Sequence, residues 1–157
     1  MHFSKTLASI GGFVAGDERV INYLKHTSPA LIFSASPTPA SVASAIAALD
    51  VLEQEPHLPQ KVCDNAAYIR QGLRSLGFEV PDGKTAIVPV FIGDDEKTFL
   101  FWRLLYDQGV FVNAFISPAT PPGKQMLRTS YMATHEKHHL DQVIDGFEKA
   151  GSKLGII

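Results

Sequence analysis

The chain has 157 residues, of which 45% are apolar and 19% are charged, and its net charge is −2. This apolar content excludes a disordered tail, and the small net charge argues against nucleic acid or an acidic membrane surface as a partner. Its one cysteine, Cys63, excludes an intrachain disulfide. With no membrane-spanning run and no signal-peptide pattern, a soluble cytoplasmic protein is expected.

The first third of the chain is predicted to contain a strand and two helices. Residues 8–16 are small, apolar and bracketed by glycines, which favours a short buried strand. The sheet that this strand needs is not expected in the chain, so residues 3–36 should be disordered, rearranged or packed on another copy. Asp17 can cap a helix that runs to residue 25, and residues 31–36 form an extended piece stopped by prolines. An alanine-rich helix is predicted over residues 39–53.

From residue 55 onward the pattern is α+β, because short apolar runs alternate with amphipathic helical segments. We expect a sheet of three or four strands with helices covering one face. Pro89 in the second strand indicates a sheet edge or a bulge. The predicted elements are a helix over 60–76, strands over 78–80 and 86–92, a helix over 95–106, a strand over 109–113, a Pro-rich loop over 116–124, a strand over 126–131 and a helix over 134–154.

The most informative stretch is FSKTLASIGG at residues 3–12, which contains Ser4 and Lys5. The neighbours of Lys5 are small or apolar, and the next charged residue is Asp17. A lysine amine in such surroundings is expected to lose hydration, which favours its uncharged, nucleophilic form. Small neighbours also let a flat aromatic cofactor approach the backbone. An ordinary loop lysine before a buried strand is the alternative.

Three motifs in this order resemble those of the α-oxoamine synthases, a family of fold-type-I pyridoxal-phosphate enzymes. The first is most similar to the serine palmitoyltransferase branch of that family. The motifs are FSKTLASIGGF at 3–13, FSAS at 33–36 followed by Pro37 and Pro39, and LRTS at 127–130 with Ala133 and His135 downstream. The resemblance implies an α/β fold, with residues 1–54 as the tail of a large domain plus a linking helix and residues 55–157 as a small α+β domain.

The resemblance also implies a role for particular residues. Lys5 would hold pyridoxal 5'-phosphate as a Schiff base and later move the substrate's α-proton, while Ser4 would donate its hydroxyl to the cofactor phosphate. Ser34 and the backbone N–H of Ala35 would reach the phosphate in the neighbouring subunit of a homodimer. Arg128 would bind the substrate's α-carboxylate with its planar guanidinium. The implied reaction is a decarboxylating condensation of an amino acid, expected to be serine, with an acyl-CoA.

Some positions depart from the family pattern. His2 stands three residues before Lys5, where the family has a hydroxyl side chain, and Thr6 replaces a smaller residue. The family's aspartate for the pyridine nitrogen, its ring-stacking histidine and its first phosphate loop would lie before the start of this sequence. The chain is therefore expected to be a C-terminal fragment in which pyridoxal 5'-phosphate is absent or weakly bound. It is also expected to be inactive alone, because the cofactor ring would be a weak electron sink. Met1-His2 is expected to be foreign to the natural protein.

Other functions are left open by the sequence. Within the same family, an 8-amino-7-oxononanoate synthase or a 2-amino-3-ketobutyrate CoA ligase is an alternative, and the acyl chain length is not encoded here. Outside this family, the alternative is a non-catalytic α+β binding or dimerisation module in which Lys5 has no chemical role. Residues 135–139 (HEKHH) satisfy the zinc-hydrolase pattern H-E-x-x-H. They fall on the first turn of a predicted helix and off its apolar stripe, so a solvated helix start is expected there and no metal.

Overall fold

The computed structural model describes residues 2–157. Of the dipeptide Met1-His2, which is expected to be foreign to the natural protein, Met1 lies outside the described residues. The chain divides into two compact units, Met1–Pro56 and His57–Ile157. Within the described part of the chain, no helix combines the length and the apolar character needed to cross a membrane.

The first unit is helical, and two of its helices begin at side-chain caps. Asp17 accepts a hydrogen bond from the backbone N–H of Arg19, and the Thr38 hydroxyl accepts one from the backbone N–H of Ser41. The predicted helices over 17–25 and 39–53 are thereby confirmed within two residues at each end. The helices are α1 (Glu18–Thr27), α2 (Pro29–Ile32) and α3 (Pro39–Gln54).

Two predictions in this unit are wrong. Residues 8–16 form no strand: they are mostly exposed, and their one ladder contact is an isolated bridge between His2 and Gly12. A strand needs a neighbouring strand to satisfy its backbone, and the described residues of this unit supply none. The first two residues of the extended piece predicted over 31–36 are helical and belong to α2. Pro29 opens this helical turn, and the backbone N–H of Ile32 donates to the Ser28 carbonyl.

The second unit is an antiparallel sheet covered by helices on one face, as the predicted fold requires. The strand order is β1-β3-β2. Along β1 and β3, alternate side chains are buried against the helices, and those between them are half-buried or exposed. The buried ones are Val88, Val90, Leu127 and Thr129, whereas Arg128 is exposed on the open face. The elements are α4 (His57–Ser75), β1 (Ile87–Phe91), α5 (Asp95–Asp107), β2 (Asn113–Phe115), β3 (Met126–Ser130) and α6 (Lys137–Lys153).

Three phenylalanine rings form the centre of the core between the helices. Phe147 lies 5.2 Å from Phe101 and 5.7 Å from Phe78 between ring centroids, and all three side chains are at most 5% exposed. Gly151 of α6 makes the close approach of Phe78 possible, because a Cβ there would lie 2.5 Å from the end of that ring. The core therefore depends on large rings from α4–β1, α5 and α6 that meet across a glycine.

Several boundaries of this unit differ from the predicted ones. The helix predicted from residue 60 begins at His57, because Pro59 occupies its first turn, where no backbone N–H is needed. The strand predicted over 78–80 is reduced to one bridge between Glu79 and Phe91. The helix predicted from residue 134 begins at Lys137.

The strand predicted over 109–113 lies instead at β2, Asn113–Phe115. The register pairs Asn113 with Arg128 and Phe115 with Met126. Val110 and Val112 are buried, as their apolar character predicted, but they belong to the segment that leads into the strand. The position of Pro89 on β1 confirms the predicted sheet edge, since β1 pairs only with β3 among the described strands.

Candidate functional site

Residues 2–12, which we call the lysine loop, close on themselves. The backbone N–H of Phe3 donates to the Gly11 carbonyl at 3.0 Å, and the N–H of Ser9 donates to the Phe3 carbonyl at 3.0 Å. The Lys5 carbonyl accepts from the N–H of Ala8 at 2.9 Å. These bonds hold Lys5 on a short turn of which both ends are fixed.

The lysine loop is also anchored to the rest of its unit. The Ser9 hydroxyl donates to the Ser41 carbonyl of α3 at 2.7 Å, and the Leu7 side chain is only 1% exposed. Ala8 adopts a φ of 46° and Gly11 a φ of 110°. A left-handed alanine costs about 1 kcal/mol and persists only where its surroundings enforce it. The geometry around Lys5 is thus imposed by specific contacts.

The side chains of Ser4 and Lys5 point to the surface. Both residues are exposed, and neither side chain makes a hydrogen bond or ion pair with another described residue. The predicted loss of hydration at Lys5 is wrong for this structure, because its small neighbours are themselves exposed and do not enclose the amine. The amine is free to react with a carbonyl group that approaches from solvent.

Ser4 also borders a cleft of about 860 Å³ within the first unit. This volume falls within the range of about 300–1,000 Å³ that is usual for small-molecule sites. Most of the cleft's lining is apolar, and Lys25 is its only lysine among the described residues. The lining comprises His2, Ser4, Ile10, Gly11, Gly12, Phe13, Val14, Ile21, Leu24, Lys25, Ser28, Ala30 and Leu31.

Ser34 and Ala35 lie in the connection between α2 and α3. Both are exposed, and neither their backbone N–H groups nor the Ser34 hydroxyl finds an acceptor among the described residues. Phe33, immediately before them, is 86% exposed. This short segment therefore presents several unused donors, which an anionic group such as a phosphate can accept from.

Arg128 lies in the middle of β3 on the open face of the sheet in the second unit. Its cross-strand partners are Pro89 on β1 and Asn113 on β2. Its guanidinium carbon lies 4.6 Å from the centre of the Phe115 ring. In the described part of the chain the guanidinium forms neither an ion pair nor a hydrogen bond, so its donors are available to a ligand.

The contact between Phe115 and Arg128 was missed by sequence reasoning. The predicted strand ended at residue 113, which left Phe115 outside the sheet. A signal was present, since Asn113 and Phe115 are two residues apart and so share one face of any strand that contains both.

Residues 3–147 match the family described as aminotransferase class I and II. The chain belongs to the aminotransferase class I and II family. This match covers nearly the whole sequence and includes the segments of Ser4, Lys5, Ser34, Ala35 and Arg128.

Two relatives in this family are similar over almost the whole chain. The serine palmitoyltransferase of Sphingobacterium spiritivorum is 46% identical over 143 residues, which cover 91% of this chain and 36% of that protein. The 8-amino-7-oxononanoate synthase of Thermoanaerobacter pseudethanolicus is 39% identical over 154 residues, which cover 98% of this chain and 39% of that protein. The chain thus spans less than half the length of these relatives.

A solved structure of serine palmitoyltransferase with a PLP internal aldimine superposes with a TM-score of 0.92 at 32% identity. The match covers 99% of this chain and 40% of that one. The predicted α/β fold of a pyridoxal-phosphate transferase and the predicted resemblance to serine palmitoyltransferases are confirmed by these matches. The individual roles predicted for the site residues stay predictions.

The residues of this aminotransferase-family chain fit parts of a pyridoxal-phosphate site. The exposed Lys5 amine can bond to an aldehyde, and the Ser4 hydroxyl beside it can donate to a phosphate. The free hydroxyl and N–H donors of Ser34 and Ala35 can likewise donate hydrogen bonds to a phosphate. By contrast, the lysine loop has no carboxylate for the pyridine nitrogen, and the first one after it, Asp17, caps α1.

The H-E-x-x-H motif lies at the start of α6, where its histidines accept backbone hydrogen bonds. Nδ1 of His135 accepts from the N–H of Met132 at 3.2 Å, and Nδ1 of His139 accepts from the N–H of Glu136 at 3.1 Å. Over residues 2–157, no group of three or more His, Cys, Asp or Glu side chains is placed to hold a metal ion. The His139 contact belongs to the capping box of α6, whereas the His135 contact closes the turn that precedes the helix.

The contact of His135 with Met132 predicts a pH-dependent stability. Burial, and then the neighbouring His139, lower the pKa of His135 from its usual value of 6.5. The unfolded chain therefore binds a proton at His135 more readily than the folded chain does. The contribution of His135 to the free energy of unfolding is fully present above about pH 6.5, and it is lost as the pH falls through the lower pKa of the folded state. Loss of the acceptor at Nδ1 is expected to lower the free energy of unfolding by about 0.5–1.5 kcal/mol.

Urea unfolding of the wild type and of His135→Gln at pH 7.5 and pH 5.5 measures this effect. The wild type should lose more stability between these two conditions than the variant, which has no titrating ring at residue 135. Equal losses in the two proteins would contradict the role of His135.

Proposed function

We propose that this chain is the part of a pyridoxal-phosphate-dependent acyltransferase of the α-oxoamine synthase type that carries the cofactor lysine and the substrate-binding arginine. The observation that carries the proposal is the closed lysine loop, which holds the side chains of Ser4 and Lys5 exposed and unpaired. The similarity to serine palmitoyltransferases over this loop supports the same conclusion.

In this proposal Lys5 holds the cofactor covalently through Nζ and later moves the proton of the substrate's α-carbon. Ser4 donates its hydroxyl to the phosphate, and Ser34 with the Ala35 N–H donates to the phosphate held by a second subunit. When bound, the cofactor supplies an electron sink that stabilises negative charge on the α-carbon of an amino acid. We expect a homodimer for this reason, since Ser34 and Ala35 otherwise keep unused donors.

Arg128 binds the α-carboxylate of the amino acid in this scheme. A guanidinium presents two parallel N–H groups to a carboxylate, and the pair is charge-assisted. We propose serine as the amino acid and an acyl-CoA as the second substrate, on the similarity to serine palmitoyltransferase. The 39% identity to an 8-amino-7-oxononanoate synthase supports that sister activity as the second candidate.

We further propose that the chain by itself binds the cofactor without completing the condensation. An electron sink of this type needs an acidic partner for its ring nitrogen. Asp17, the carboxylate nearest in sequence to Lys5, is engaged with the backbone N–H and the side chain of Arg19. Lys5 and its loop can therefore hold the cofactor while the ring lacks the group that activates it.

A pair of ligands tests the proposed function on the chain mixed with pyridoxal phosphate. L-serine is expected to change the cofactor's absorbance, whereas ethanolamine, which has the same amine and hydroxyl but no carboxylate, should act much more weakly. Arg128→Ala should weaken the L-serine response about tenfold or more, since a hydrogen bond to a charged group contributes about 1.5–3 kcal/mol.

Two further variants serve as controls. Arg128→Lys keeps the charge but loses the planar fork, so an intermediate response is expected. Arg103→Ala removes an exposed arginine that already pairs with Asp107 at 3.0 Å, so this variant should respond like the wild type. Equal responses to L-serine and ethanolamine, or an unchanged response of Arg128→Ala, would contradict the proposal.

A further inference from the structure

The Arg128 side chain is long, exposed and without a polar partner among the described residues. Such a side chain ordinarily samples many rotamers, and fixing it on a ligand costs conformational entropy. A carboxylate-binding arginine therefore gains affinity when the protein restricts its orientation before the ligand arrives.

Two other arginines of the second unit are restricted by carboxylates. Arg74 pairs with Asp82 at 2.7 Å, and Arg103 pairs with Asp107 at 3.0 Å. These ion pairs fix the side chains but occupy the donors that would bind a ligand. An arginine held in this way is less available to a substrate carboxylate.

Arg128 is restricted differently, by an aromatic ring. On β2, Asn113 lies directly opposite Arg128, and Phe115 lies two residues further on, diagonally across from the arginine. The centre of the Phe115 ring is 4.6 Å from the guanidinium carbon of Arg128. This distance lies within the range of a cation–π contact. A contact of this kind engages the charge of the guanidinium without supplying a polar acceptor, so its N–H groups remain available to a carboxylate. The two cross-strand partners, Pro89 and Asn113, carry no charge that would compete for them.

We propose that Phe115 is a positioning residue that holds the guanidinium of Arg128 in one orientation while leaving its donors free for the α-carboxylate of an amino acid. The carboxylate part of this inference rests on the proposed function, whereas the positioning of Arg128 by Phe115 rests on the geometry of β2 and β3. Phe115 acts through Arg128 and does not itself contact the substrate.

The first test is the NMR signal of the Arg128 side chain, assigned by its absence in Arg128→Lys. In the wild type, the side-chain protons should be shifted upfield by the ring current of Phe115. The shift should vanish in Phe115→Leu, which keeps the apolar bulk, and persist in Phe115→Tyr, which keeps the ring. Random-coil shifts in the wild type would overturn the positioning role, whatever the chain's function.

The second test is a titration with L-serine followed at the same signal. Phe115→Leu should bind about two- to fivefold more weakly than the wild type, the equivalent of an exposed cation–π contact, and Phe115→Tyr should bind normally. Equal affinities of the wild type and Phe115→Leu would overturn the inference. A wild type whose Arg128 signal shows the ring current but does not respond to L-serine would instead overturn the proposed function. Similar thermal unfolding midpoints of the variants exclude a general loss of structure.

Discussion

Replacing Lys5 by alanine is expected to abolish covalent capture of pyridoxal phosphate by the chain. Borohydride reduction fixes a cofactor on whichever amine has bonded to its aldehyde, so the intact mass and the peptide map identify that amine. Lys5 should carry the cofactor because its loop is closed by backbone bonds and presents a free amine next to the Ser4 hydroxyl. The expected effect is complete loss of the specific adduct, since no other side chain of the loop has an amine.

Lys25 provides the matched control for this experiment. It borders the same cleft as Ser4 and is therefore the lysine best placed to capture the cofactor without specificity. Lys25→Ala should retain the adduct at Lys5, and any substoichiometric labelling of the remaining surface lysines at high cofactor concentration should be the same in the wild type and in this variant. An adduct that maps to Lys25, or labelling that is unchanged in Lys5→Ala, would refute the assignment of Lys5.

Replacing Phe147 by alanine is expected to lower the free energy of unfolding by about 3–5 kcal/mol. The Phe147 side chain is fully buried and contacts both other rings of the core, Phe78 and Phe101. Helices on either side hold these rings, so the space left by the deletion cannot readily collapse. Because domains of this size are stable by about 5–15 kcal/mol, the variant should lose a large part of its stability. Urea unfolding monitored by circular dichroism measures the change.

Phe111 is the control for the same substitution at the surface. Its side chain is 75% exposed, so Phe111→Ala should change the free energy of unfolding by about 0.5 kcal/mol or less. Similar losses for the two variants would mean that the ring cluster around Phe147 is not the centre of the core.

Much of the fold could be predicted because the signals are local. The helix α1 follows from the cap at Asp17, which acts within the first turn, and α3 follows from its alanine-rich composition. The strands β1 and β3 are short apolar runs whose alternate residues are buried, and a proline marks the edge position of β1. Each of these features is determined by neighbouring residues and does not depend on distant contacts.

The errors arise where structure depends on distant partners. Residues 8–16 have the composition of a strand, but composition does not provide the neighbouring strand that such a segment needs. The position of β2 is set by its pairing with β3, which selects Asn113–Phe115 over the more apolar residues just before it. The two-residue spacing indicates that Asn113 and Phe115 share one face of a strand, but the contact of Phe115 with Arg128 also requires this register with β3.

The candidate site could be predicted as a set of residues but not as an arrangement. The motif around Lys5 and the arginine at residue 128 are visible in the sequence because their residue types are specific. The exposure of Lys5 was not predictable, since it depends on how the loop folds back through the Phe3–Gly11 and Ser9–Ser41 hydrogen bonds.

The most direct measurement of the central claim is a crystal structure of the chain after reduction with pyridoxal phosphate and borohydride. We predict continuous density from Nζ of Lys5 to the cofactor, with the phosphate within hydrogen-bonding distance of the Ser4 hydroxyl. Density for the cofactor on another lysine, or an unmodified Lys5 in a crystal of fully labelled protein, would contradict the proposal that the lysine loop is a cofactor site.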